Sequence, residues 1–200
     1  MTNAMFGDKD AYSGKGFELL HHLLFALLLK SDGRTTDMLE TLMDDTMRVR
    51  VIAQEQIDAV LAGQPEALSG APYYIRESVL ISPRSGFVVS HNIALVCSQH
   101  VPQPLFEALS AKREGIGKTI GTLGLQTSRK LVDCGWRSEA ETVDLFQRKF
   151  KPEFASTDEK TPFKQYAIYF ESAPGIHMIE YFNPAMIRHR LNEWIPKAES

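Results

Sequence analysis

Tyr74-Ile75-Arg76-Glu77-Ser78-Val79-Leu80-Ile81 follows Gly70-Ala71-Pro72 and is rich in β-branched and aromatic residues, the composition of a β-strand. Two charged residues stand side by side in its middle. A strand sends successive side chains to opposite faces, so Arg76 and Glu77 cannot both point outwards. One of them faces whatever the sheet covers. Burying a guanidinium is costly unless an anion meets it. The stretch therefore sets two questions: which elements build the sheet around it, and what anion meets the arginine.

Working outward, Ser82-Pro83-Arg84-Ser85-Gly86 is a turn, and Phe87 to Ser98 is a second long strand, so the two form a hairpin. Upstream, Met47 to Gln54 alternates apolar and basic residues and predicts a half-exposed strand. Phe17 to Lys30 is helical by length and apolar nearly all round, which predicts a buried helix. Ser31-Asp32-Gly33 stops it, and Thr35 or Thr36 can cap a second short helix, Asp37 to Met43. Met1 to Gly16 reads as a loose, flexible arm, and Ile57 to Leu68 fits a weak helix or a loop. Downstream, Pro102 to Lys112 predicts a helix and Thr127 to Arg137 a strand, while Ala140 to Phe150 fits helix or loop. Pro162 to Ser172 and Ile176 to Phe182 form a second hairpin around Ala173-Pro174-Gly175. Asn183-Pro184 opens a last helix, Ala185 to Ile195, with proline in the first turn, where its missing N–H costs nothing. Helices at both ends, antiparallel hairpins between them and no βαβ alternation indicate an α+β fold, a single domain over 17–200 with an antiparallel sheet flanked by helices.

Composition narrows the function classes. The 200 residues suit one substantial core, and a net charge of −3 gives no electrostatic case for nucleic acid or an anionic membrane. Leu19 to Leu29 is too short to span a bilayer, and no cleavage site follows it. Cys97 and Cys134 are isolated thiols, which fits a reducing cytoplasm and argues against structural zinc. His21 and His22 are adjacent, whereas a metal pair on one helix face wants a spacing of four. No metal is expected.

Gly115-Ile116-Gly117-Lys118-Thr119 invites comparison with a phosphate loop, but the required glycine five residues before the Gly-Lys-Thr is Lys112. A tight turn into a short helix is the expected structure. His91, in mid-strand beside the Arg76 strand, is a structural or site histidine. Glu180, in His177-Met178-Ile179-Glu180-Tyr181-Phe182, is the second anomaly: a carboxylate within an apolar strand, on the face of Met178 and Phe182. Without a compensating cation, burial raises a carboxyl pKa, which a general acid needs. Arg76 and Glu180 thus read as partners, either across a pocket or as a structural ion pair.

At these residues the chain resembles the chorismate pyruvate-lyase family, the 4-hydroxybenzoate synthases. The likeness lies in Tyr74 to Leu80 with its Arg-Glu pair, the strand Val88 to Val96, the turn Ile116-Gly117 and Ile179-Glu180-Tyr181-Phe182-Asn183-Pro184. Leu27-Leu28-Leu29 followed by Thr35-Thr36 extends it to the N-terminal helices. The resemblance implies a chorismate lyase-like α+β domain and a cofactor-free enzyme that releases pyruvate from chorismate to leave 4-hydroxybenzoate. It further implies Arg76 on a substrate carboxylate and Glu180 as general acid, with Ile116, Gly117, Thr35 and His91 binding the substrate. Chorismate is a dianion, and a guanidinium can hold a carboxylate bidentately.

Three positions depart from the family pattern. Gly115 replaces a proline, His91 stands nearest to a usual second basic residue, and Thr35 occupies a usually apolar pocket position. They make a more polar site and motivate one alternative, an enzyme acting on another enolpyruvyl or aromatic acid; the second alternative is a non-catalytic sensor domain for aromatic acids. The second draws on the occurrence of this fold in effector domains of bacterial transcription regulators, although no helix-turn-helix segment is seen here.

Overall fold

A computed structural model describes residues 14–57, 73–111, 114–154 and 160–194. The expected arm before Gly14, the segment 58–68 and the end of the tail from 195 lie outside them. Six strands form one antiparallel sheet: β1 (Arg48–Ile57), β2 (Tyr73–Ile81), β3 (Val88–Cys97), β4 (Ser128–Arg137), β5 (Thr161–Phe170) and β6 (Ala173–Phe182). Their order in the sheet is β1-β2-β3-β6-β5-β4. Among the described residues five helices accompany them: α1 (Lys15–Lys30), α2 (Thr35–Met43), α3 (Gln103–Ser110), α4 (Ile116–Thr122) and α5 (Met186–Trp194). This single α+β domain is consistent with the chorismate lyase-like fold.

Register decides which side chains share a face. Arg76 lies opposite Gln54 on β1 and Ala94 on β3; Ala94 lies opposite Met178, and Met178 opposite Tyr166. Two residues along, on the same face, runs the row Ser78, Asn92, Glu180, Lys164. All five helices contribute to the cover on this side. One apolar cluster joins α3 and α4 to Ala94, Ile168, Ile176 and Met178; another joins α1, α2 and α5 to Leu80 and Phe182. The other face carries Ile93, Leu95, Ile179, Tyr181 and Phe163 and is closed by a strap, 138–154, through Leu145, Phe146 and Phe150. The Tyr181 hydroxyl pins the strap, donating to Val143 O at 2.6 Å and accepting from Val143 N–H at 3.1 Å. This strap is the stretch that fitted helix or loop. It contains a single 3-10 turn, Glu139–Glu141.

Two expectations are corrected. The first helix is not buried all round: Phe25, Leu28 and Leu29 are enclosed, whereas Leu19, Leu23 and Leu27 are half or more open at the outer surface. Each enclosed leucine contributes about 1.5–3 kcal/mol of transfer free energy, enough to hold one face of the helix down. The second hairpin turns at Glu171-Ser172 rather than at Ala173-Pro174-Gly175, with Glu171 at φ 56°. Gly175 lies inside β6, where a Cβ would come within 2.8 Å of His100 O. Close packing, not turning, explains that glycine.

Candidate functional site

On the helix-covered face a cavity opens between the two apolar clusters, with about 540 Å³ of empty space including its mouth. Its floor is the sheet, with Arg76, Asn92, Ala94, Met178, Tyr166 and Glu180; its rim is the start of α2 and the Gly115-Ile116-Gly117 turn. Arg76 is 2% exposed. Its Nη1 donates to Gln54 Oε1 at 3.1 Å and Leu109 O at 3.0 Å, and its Nη2 donates to Glu114 O. All three acceptors are neutral. No carboxylate among the described residues pairs with this guanidinium. Burial lowers its pKa, yet an arginine stays charged in a protein. Arg34 and Arg129 also line the cavity. Arg34 pairs with the exposed Asp37 and packs where a Cβ on Gly121 would stand; Arg129 forms no ion pair among the described residues.

The expected pairing of Arg76 with Glu180 is replaced by another. The two lie on β2 and β6 with β3 between them, roughly 10 Å apart across the sheet from strand spacing alone. The cation beside Glu180 is Lys164, directly opposite on β5, with Nζ 3.9 Å from Oε2. Thr35 Oγ1 donates to the same oxygen at 2.9 Å. Lys164 also donates to Leu28 O at 3.4 Å, so this buried pair ties the end of α1 and the start of α2 to the sheet. Burial pushes the Lys164 pKa down, with Glu180 opposing the shift, and burial drives the Tyr166 hydroxyl well above its ordinary range.

Of the residues expected at the site, Arg76, Glu180, Thr35, Ile116 and Gly117 line this one cavity. His91 does not. It lies on the opposite face, under the strap, where Nε2 meets Glu77 Oε1 at 2.9 Å and Nδ1 accepts from Glu153 N–H at 2.9 Å. The cause is one bulge. Ile81 lies opposite Val88, but Leu80 lies opposite Ser90, so Val89 is an extra residue and every side chain beyond it changes face. Without the bulge Ser78 would oppose His91; with it, Ser78 opposes Asn92. Glu77 faces the strap side, as its alternation from Arg76 requires.

Sequence reasoning passed over Asn92, Lys164, Arg34 and Arg129. Lys164 carried the same signal as Glu180, a charge inside the apolar strand Pro162-Phe163-Lys164-Gln165-Tyr166-Ala167-Ile168. Gly115, where the family has proline, has its own reason: a Cβ there would fall 2.9 Å from Val49 Cγ2.

The His91 latch makes stability depend on pH. Burial lowers the His91 pKa below its ordinary 6.5, opposed by Glu77 and Glu153 and aided by Arg50. The unfolded chain therefore binds the proton more readily, so stability is complete above about pH 7 and falls as pH drops through 6.5 and below. His177, lowered by burial, acts in the same direction. Thermal unfolding followed against pH is expected to show this decline, with a shallower slope in His91→Gln. An equal slope in the variant would contradict the latch.

The domain is thus an α+β sheet with a charged cavity under its helices. No protein-family model matches the chain, and no curated protein matches it. Solved structures do. The effector domain of PhnF from Mycobacterium smegmatis is 17% identical with a TM-score of 0.48, over 76% of this chain and 90% of that one. The ligand-binding domain of a GntR-family transcriptional regulator from Bordetella bronchiseptica is 13% identical with a TM-score of 0.43, over 68% and 85%. A GntR-family regulator from Bacillus cereus is 12% identical with a TM-score of 0.41, over 77% and 97%. The likeness is one of fold.

The expectation of an enzyme, a chorismate pyruvate-lyase, is corrected by the geometry of the site. The three structures named above are a regulator and effector or ligand-binding domains of regulators, a likeness of fold alone, whereas within this chain the two residues expected to act as a catalytic pair each have other partners. Among the described residues no helix is long and apolar enough to cross a membrane.

Proposed function

We propose that the chain is a non-catalytic ligand-binding domain whose cavity takes a small organic anion, an aromatic carboxylate being the class that suits its walls. The observation that carries this reading is Arg76: a cation 2% exposed, facing a cavity, with neutral acceptors and no carboxylate partner among the described residues. A buried charge is costly until an opposite charge meets it, so an anionic ligand supplies the counter-charge for Arg76. Arg34 and Arg129 add to the positive potential, against Glu180 alone among the described acidic residues lining the cavity. Ile116, Ile168, Met178, Leu80 and Val49 supply apolar walls for a ring. Glu180 and Lys164 hold the α1–α2 corner against the cavity, a route by which occupancy reaches the outer helices.

Calorimetric titration of the full chain with 4-hydroxybenzoate, benzoate and a neutral analogue, benzamide, tests this. Saturable binding of the acids, weaker binding of benzamide and chemically unchanged ligand afterwards are expected. Binding of benzamide as tight as benzoate would remove the anion from the account.

A further inference from the structure

Asn92 is the unexplained group in the cavity. Its side chain is 5% exposed, lines the cavity, and its Oδ1 has no hydrogen-bond partner; the carboxamide nitrogen likewise forms no hydrogen bond among the described residues. Buried amides are ordinarily satisfied, because leaving one unpaired forfeits its hydration with nothing in return. On β6 its direct cross-strand neighbour is Glu180, and directly opposed side chains have Cβ atoms about 4.5–5.5 Å apart. The contacts from Thr35 and Lys164 both fall on Oε2 of Glu180, and the Tyr166 hydroxyl also interacts with this carboxylate, whose two oxygens have room for a further donor. An unpartnered amide and a carboxylate with remaining acceptor capacity thus stand side by side on the cavity floor.

We infer that Asn92 and Glu180 form a hydroxyl-reading pair, so that the ligand is an organic anion that also carries a hydroxyl. The inference rests on the anion-binding reading above. An alcohol has one donor and two acceptor sites. It can donate to the Glu180 carboxylate while accepting from the Asn92 amide, which no purely anionic or purely apolar group can do. An ammonium would also donate to Glu180, but Arg76, Arg129 and Lys164 outnumber the one carboxylate and repel it. A second carboxylate would meet Glu180 directly. Arg76 and Asn92 are diagonal neighbours on β2 and β3, about 7–8 Å apart at Cα, so the hydroxyl lies well separated from the anionic group.

Matched pairs decide it: 4-hydroxybenzoate with benzoate, 4-hydroxybutyrate with butyrate, and glycerol 3-phosphate with propyl phosphate, each titrated calorimetrically into the full chain. The hydroxylated member of at least one pair is expected to bind tenfold tighter or more. In Asn92→Leu that preference is expected to collapse to within threefold, with a Tm at or above that of the unaltered chain. Asn92→Ala repeats the comparison if leucine lowers the Tm. Binding that depends on Arg76 but shows no hydroxyl preference, or a preference that survives loss of Asn92, overturns this inference and leaves the anion reading standing. Failure of every anion to bind overturns both.

Discussion

Arg76→Met is expected to weaken binding of a carboxylate ligand by about 30-fold or more, from the 2–5 kcal/mol that a buried, hydrogen-bonded charge pair loses when one partner is truncated. The magnitude follows from position. Arg76 projects from β2 onto the enclosed face, and its three hydrogen bonds to Gln54 Oε1, Leu109 O and Glu114 O fix the guanidinium in place before any ligand arrives. A donor set held in this way loses little side-chain freedom on binding, so its charge is available nearly in full. The three acceptors are neutral, and removing the arginine also removes the cost of burying it. Folding stability is therefore expected to change much less than affinity. Arg76→Lys keeps the charge without the planar fork and is expected to fall between the two. Calorimetry on the three proteins, with thermal unfolding beside it, checks the split. Equal affinity across the series would remove Arg76 from the site.

The second large effect is on stability. Glu180→Ala leaves Lys164, 2% exposed, without its carboxylate and, among the described residues, with only Leu28 O within hydrogen-bond reach. Breaking a buried pair from one side costs about 3–5 kcal/mol. At the 2–4 °C per kcal/mol typical of a chain this long, the Tm is expected to fall by roughly 6–20 °C. Lys164→Met combined with Glu180→Ala removes both charges and is expected to recover at least half of that loss, since contacting residues do not act additively. A fall of less than about 2 °C in the single variant would mean that the pair does not hold the α1–α2 corner. The corner is where the account expects ligand occupancy to be felt, through Thr35 on one side and Leu28 O on the other.

The α+β class, the two hairpins, the edge strand β1 and the faces of Arg76 and Glu77 were legible because each rests on a local pattern: period two, turn residues or an apolar run. The bulge at Val89 was not. No residue there announces it, yet it exchanges His91 for Asn92 at the cavity floor. Glu180 was recognised as a buried charge, but its partner was sought on β2, the charge already in view, because sequence does not say that β6 lies beside β5 with Lys164 opposite. The exposure of Leu19, Leu23 and Leu27 also escaped the reading, because an apolar periphery on a helix resembles a buried helix until its neighbours are placed. The resemblance drawn from Arg76-Glu77 and Glu180 reached the fold, and five of the six residues it placed at the site, all but His91, line the cavity. It did not reach the activity, which depends on what else those two side chains touch.

The central claim is that an organic anion enters the cavity and meets Arg76. The most direct measurement is a ¹H–¹⁵N NMR titration of the full chain with 4-hydroxybenzoate, following the side-chain signals of Arg76 Nε and Asn92 Nδ2. Saturable shifts are expected at both, with no shift of Asn92 Nδ2 in Arg76→Met and with the Glu153 amide in the strap unmoved. Saturable shifts elsewhere with Arg76 Nε unchanged would contradict it.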